Sequence, residues 1–116
     1  MDIAIIGAGF CGVALTRELA RHAAPGCRIV LVGSVDSFGR GVAYGTPRPE
    51  HCLNVRACDL GIDPAQPTGF ADWLELESPT REGFLPRTLY GDYLCMELDE
   101  AAELASTRGL ELHRLC

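Results

Sequence analysis

Ile3-Ala4-Ile5-Ile6-Gly7-Ala8-Gly9-Phe10-Cys11-Gly12 opens the chain and decides its fold. Its apolar, mostly β-branched start has no polar alternation, the pattern of a central parallel strand buried on both faces, so residues 2–6 are expected to form one. The glycines then hand the chain to a helix from Phe10 to about Ala23. Val13, Leu15, Leu19, Ala20 and Ala23 supply its apolar face, and Arg17, Glu18, Arg21 and His22 much of its polar side. Pro25-Gly26 stops it, and Arg28 to Val32 is a second β-branched run. Residues 2–33 therefore read as a βαβ unit.

That context gives the GxGxxG spacing its meaning. Gly7 suits the tight turn, Gly9 lets backbone approach a pyrophosphate, and Gly12 allows the helix to pack closely on the strand. The helix N-terminus adds free N–H groups and the positive end of its dipole. Gly7, Ala8, Gly9, Phe10, Cys11 and Gly12 are accordingly the first candidate binding residues, the alternative being a glycine-rich turn without a ligand. An acidic residue is expected at the end of strand two to bind the adenosine ribose, but Gly33 stands there. Asp36, or the hydroxyls of Ser34 and Ser37, are the candidate substitutes, and a degenerate site is the alternative.

Residues 34–68 are rich in Gly, Pro, Asp and Arg without a sustained period, and read as a ligand-facing loop. A helical segment over 69–108 follows, with a short helix from Phe70 to about Glu77 placed after Thr68 as cap, and a long one from about Thr88 to Ser106. Tyr90, Leu94, Leu98, Ala101 and Ala105 mark the apolar face of the second helix, Gly91 weakens its first turn, and Arg108-Gly109 ends it. Residues 110–115 look like a third strand. The fold class expected is α/β, a Rossmann-like domain with a parallel sheet, apparently truncated. An incomplete sheet would leave an exposed edge prone to self-association.

Composition excludes several other classes. The chain has 116 residues, 47% hydrophobic and 22% charged, which suits one soluble domain with a real core. A net charge of −6, with arginine but no lysine, argues against binding nucleic-acid phosphates. No apolar run approaches the roughly 20 residues that cross a bilayer, and the N-terminus lacks a secretory signal, so no membrane span and a cytoplasmic location are expected. The six cysteines form no CxxC pair and no zinc-like cluster, and are read as reduced thiols, with no metal site. No nucleophile elbow, P-loop or paired carboxylates stand out, so no catalytic residue is assigned.

Beyond the first motif, Phe38-Gly39-Arg40-Gly41-Val42-Ala43-Tyr44-Gly45, Leu53-Asn54-Val55 and Phe84-Leu85-Pro86-Arg87-Thr88-Leu89-Tyr90-Gly91-Asp92-Tyr93-Leu94 resemble the FAD-NAD(P)-binding proteins over nearly the whole chain. These are bacterial flavoprotein oxidoreductases with two dinucleotide sites. Members usually carry Ser where Cys11 stands and Glu at Gly33, and they continue well beyond this length. The resemblance implies FAD as cofactor, with NAD(P) as a second candidate bound through further regions, and the dinucleotide-binding part of an oxidoreductase or monooxygenase as the function. Flavin supplies the hydride chemistry in such proteins, and the protein binds and orients it. Gly39, Arg40 and Gly41 become candidates for the nucleotide phosphates, with Arg40 either a donor or a solvated surface residue. Asn54 either bonds the flavin edge or pins a turn. Arg87 either orients the loop or pairs with Asp92 or Glu82, and Tyr44, Tyr90 and Tyr93 are read as packing residues. A nucleotide-binding module without turnover and an NAD(P)-binding dehydrogenase fragment remain the alternatives.

Overall fold

The computed structural model describes residues 1–116. Three parallel strands, β1 (Asp2–Ile6), β2 (Arg28–Val32) and β3 (Glu111–Leu115), form one sheet in the order β1-β2-β3. Helix α1 (Phe10–His22) connects β1 to β2. The much longer connection from β2 to β3 contains α2 (Gly41–Tyr44), α3 (Gly69–Trp73) and α4 (Arg87–Thr107), with single 3₁₀ turns at Ala57–Asp59 and Thr80–Glu82. This is an α/β fold of the Rossmann-like kind.

Register explains which side chains form the core. Ile3, Ile29 and Leu112 fall in one row across the three strands and Ile5, Leu31 and Arg114 in another, so the pleat directs one alternating set toward the helices. Ile5, Ile29 and Leu31 are buried there with Val13 and Ala20 of α1 and Leu94, Leu98, Ala101 and Ala105 of α4. Each large side chain so buried contributes about 1.5–3 kcal/mol. The opposite face carries Ala4, Ile6, Val30, Val32 and Leu115, and no element covers it: Ile6 is 79% and Leu115 55% exposed.

That arrangement corrects the reading of β1 as a central strand buried on both faces. It pairs only with β2, and only Ile5 of its five residues is buried, so the apolar run reflects a face left open as well as a face packed. In α1, Leu15 lies outside at 48% exposure while Thr16 is fully buried. The Thr16 hydroxyl donates to the carbonyl of Gly12 at 2.7 Å, which satisfies it inside the core.

Two helix ends show why boundaries moved. The α3 helix stops at Trp73, short of the expected Glu77, because Glu75 takes φ +55° and closes a Schellman motif through Leu76 N–H to Ala71 C=O and Glu75 N–H to Asp72 C=O, each at 3.0 Å. The α4 helix ends as expected, on Gly109 at φ +77°, with Leu110 N–H bonded to Ala105 C=O at 2.8 Å. From the same turn Arg108 donates to the carbonyls of Ala20 and Ala23 at 2.6 and 2.9 Å, satisfying the last turn of α1 and joining the two helices.

Residues 34–68 are less of a free loop than their composition suggests. Leu53, Ala57 and Ile62 are buried in the common core, and Leu53 N–H and Ala57 N–H bond the carbonyls of Leu85 and Gly83 at 2.8 and 3.0 Å. An aromatic cluster holds the segment together: Phe70 packs at 5.0 Å from Tyr90 and 5.5 Å from Tyr93, and Tyr44 at 5.0 Å from Tyr90. Tyr90 and Tyr93 thus prove to be packing residues. No helix is long and apolar enough to cross a membrane.

Candidate functional site

The carboxyl ends of the three strands meet the glycine loop, where ligands of open α/β sheets bind. Gly7 leaves β1 at φ +106°, a conformation that glycine adopts freely, while its N–H still bonds Val32 C=O at 2.9 Å. A Cβ on Gly7 would meet nothing within 4 Å, whereas one on Gly12 would lie 2.0 Å from the Gly7 carbonyl oxygen. The first glycine therefore faces open space and the last permits backbone-to-backbone packing of α1 on the turn.

Between them the chain presents donors. The N–H groups of Gly9, Phe10, Cys11 and Gly12 donate to no backbone carbonyl, and the first helical bond is Val13 N–H to Gly9 C=O at 3.0 Å. A groove of about 580 Å³ runs past them, bounded by Ile6, Gly7, Gly9, Phe10, Cys11 and Leu15. A concavity of equal size, about 580 Å³, lies on the uncovered sheet face among Ala4, Val30 and Leu115, but its donors Arg28, His113 and Arg114 already face Asp2, Glu111 and Asp99, whereas the N–H groups at the glycine loop have no backbone acceptor. The chemistry points to the first.

The second glycine-rich segment closes against this loop. Gly39, φ +85°, donates its N–H to Ala8 C=O at 2.7 Å, and a Cβ there would come within 2.8 Å of the Cys95 sulfur on α4. Gly41, φ +62°, approaches Gly9 so closely that its Cβ would lie 3.0 Å from the Gly9 Cα. Gly9 therefore makes room for Gly41 as well as for anything at the helix end. Phe10 stacks on Tyr90 with ring centroids 6.4 Å apart, tying the start of α1 to α4.

Arg40 neither points freely into solvent nor stands unpaired. Its guanidinium binds the Asp92 carboxylate and donates to Thr88 C=O at 3.3 Å, and the Asp92 hydrogen bond holds its pKa above the ordinary arginine value. Gly91 permits this approach, since a Cβ there would lie 2.6 Å from Arg40 Nη1 and 2.7 Å from Tyr44 C=O. Sequence reasoning saw Gly91 as a weak point of the helix and missed this role; its adjacency to Asp92 within the same motif was the available signal. Arg87 meets neither Asp92 nor Glu82 but donates to Cys52 C=O at 3.0 Å. Asn54 is exposed next to buried Leu53.

At the end of β2, Ser34 N–H donates to Ser37 Oγ at 2.9 Å and the Ser37 hydroxyl donates back to Ser34 C=O at 3.1 Å. Ser34 and Asp36 are exposed on this turn. The structure thus brings Gly7 to Gly12 together with Gly39 to Gly41 and sets Ser34 and Asp36 beside the second strand end, while Asn54 belongs to the neighbouring segment.

Behind the glycine loop an ion network braces α1 against α4 and residues 62–66. Arg17 bonds Glu97 at 2.7 Å and Asp63 at 3.4 Å, and Arg21 reaches Asp63 at 3.2 Å. The Ala65 N–H and these arginines lower the Asp63 pKa, while burial pushes that of Glu97 upward against the pull of Arg17. Burial likewise raises the Tyr90 phenol and the Cys95 thiol, so neither is poised to ionise near neutrality.

The family model described as FAD-NAD(P)-binding matches residues 4–115, nearly the whole chain, and no curated protein matches it. The protein belongs to the FAD-NAD(P)-binding family.

Proposed function

We propose that this member of the FAD-NAD(P)-binding family binds the ADP part of FAD and forms the dinucleotide-binding portion of a flavin-dependent oxidoreductase. One observation carries the reading: the free N–H groups of residues 9–12 at the positive end of α1, beside the open space at Gly7. The donor set fits a diphosphate. Gly7 and Gly12 shape the turn, Ala8 holds Gly39, and Gly9 sets the distance between helix end and second glycine loop. Flavin, when bound, supplies hydride or electron transfer, and the residues of this chain bind and orient it.

In this assignment Arg40 is a positioning residue, since reaching a phosphate would mean giving up Asp92. It holds residues 38–44 on α4 and so keeps Gly41 against Gly9. Gly33 favours a second reading, a dinucleotide-binding module without turnover, because the usual ribose-binding acid is missing.

The test is a titration of the protein with FAD, and with NAD in parallel, followed by visible absorption and calorimetry. Saturable FAD binding with a perturbed flavin spectrum is expected. Gly9→Val should abolish it, because γ-carbons added beyond a Cβ already 3.4 Å from Gly41 Cα must push the two loops apart. Unchanged affinity in that variant would remove the site from the helix end. Binding of FAD without any NAD(P)H-dependent flavin reduction would support the second reading.

A further inference from the structure

The end of β2 differs from an ordinary dinucleotide site by more than one missing carboxylate. In such sites an acid at this point accepts hydrogen bonds from the ribose hydroxyls and repels a 2′-phosphate, or an arginine nearby receives that phosphate. Here the place of the acid is filled by protein. A Cβ on Gly33 would lie 2.7 Å from Ala8 Cβ, 3.3 Å from Ser37 Oγ and 3.6 Å from the Phe38 ring. Both sides of the gap are fixed. Ala8 is buried and clamped by Gly39 N–H, and Ser37 is closed on Ser34 through two hydrogen bonds that use its only proton.

The Gly33 backbone donor and the nearby guanidinium groups are committed as well. Gly33 N–H is bonded to Leu115 C=O at 2.9 Å. Of the arginines closest in sequence to the ends of β2 and β3, Arg40 is paired with Asp92 and Arg114 with Asp99. Asp36 and the Ser34 hydroxyl are exposed on the turn beside the strand end, and neither lines the groove at the glycine loop. With neither a strand-end carboxylate nor a free guanidinium, the diphosphate contacts at α1 carry recognition.

We propose that the adenosine end of this site does not discriminate at the ribose 2′ position, so that 2′-hydroxyl, 2′-deoxy and 2′-phosphate adenine nucleotides bind alike. The inference rests on the nucleotide site assigned to the glycine loop and adds a specificity to it, with Gly33 and its partner Ala8 as the residues that set it.

The experiment is calorimetric titration of the protein with ADP, 2′-deoxy-ADP and ADP bearing a 2′-phosphate, at about 0.15 M salt to screen the charge of the third ligand. The three Kd values are expected to agree within about threefold, since no paired group distinguishes them. A tenfold preference for ADP over either analogue would overturn the inference, and its loss in Asp36→Asn would identify Asp36 as the reader. A tenfold preference for the 2′-phosphate would overturn it equally. If none of the three binds, the nucleotide site itself falls and this inference with it. The crowding has its own readout: Gly33→Ala should lower the thermal midpoint, and Ala8→Gly should make the same change less costly. An unshifted midpoint in Gly33→Ala would remove the steric basis of the proposal.

Discussion

Two connections join parallel strands in this protein, and they are built on different principles. The first, from β1 to β2, is a glycine turn and one helix, held by contacts between backbones: Gly12 against the Gly7 carbonyl, Gly7 N–H on Val32 C=O. The second, from β2 to β3, wanders through α2, two 3₁₀ turns, α3 and α4, and is held by side chains that meet across long sequence separations, above all Phe70, Tyr90 and Tyr93. The difference teaches that the glycine loop owes its shape to the first connection and its position to the second. Gly39 on Ala8, Gly41 on Gly9 and Phe10 on Tyr90 are the points where one presses on the other.

The comparison can be broken most severely at Gly12. Gly12→Val puts a branched side chain where a Cβ alone would be 2.0 Å from a carbonyl oxygen, and no side chain can rotate away to relieve it. The cost should exceed the about 3 kcal/mol of ordinary overpacking, and thermal unfolding followed by circular dichroism should show no cooperative transition. A cooperative melt near the parent midpoint would mean that the first connection is not held by backbone contact. Phe70→Ala empties the aromatic cluster of the second connection at a cost of about 3–5 kcal/mol in denaturant unfolding. The rings that Phe70 packs against, Tyr90 and Tyr93, belong to α4, so hydrogen exchange should loosen residues 38–76 far more than β1 and β2; uniform loosening would erase the distinction between the two connections.

Smaller changes sharpen it. Tyr93→Phe removes the hydroxyl that accepts Ile62 N–H at 3.3 Å and leaves a buried donor unpaired, so about 1–2 kcal/mol of stability should be lost with the aromatic packing intact. An unchanged urea midpoint would show that the 62–66 segment is held by its ion pairs instead. Asp63→Asn addresses those pairs and should give the smallest effect. Because the Asp63 pKa is lowered in the folded protein, its contribution is present above the unfolded aspartate value of about 3.9 and is lost as pH falls through the folded value. The difference in thermal midpoint between parent and variant should therefore be present at pH 7 and shrink on acidification toward pH 3. Glu97 has the opposite sign: its raised pKa makes its own ionisation unfavourable to folding as pH rises through that value.

Much of the first connection was legible from residues alone. The strand, glycine turn, helix and second strand fall within a residue or so of their expected bounds, because turn chemistry and helical period are local properties of the chain. The α4 helix was equally readable, its Tyr90, Leu94, Leu98, Ala101 and Ala105 all buried as spaced. The middle segment was not, because Leu53, Ala57 and Ile62 enter the core one at a time, with no repeating interval to betray them. The Asp92 partner of Arg40 was hidden for a related reason: a glycine-flanked arginine suggests a phosphate ligand or a surface residue, and only the fold brings Asp92 to it.

What the sequence by itself determined is an α/β chain with a dinucleotide fingerprint and a glycine in place of the ribose acid, since local sterics and hydrophobic period depend on neighbours a few residues away. Only the tertiary structure decided that β1 lies at an edge, that one sheet face is open, that Arg40 belongs to α4, and that Gly33 has no room for a side chain. Each of these depends on atoms far apart in the chain coming within a few ångströms of each other. Strand order and close packing set those distances, and neither is written in the spacing of residues along the sequence.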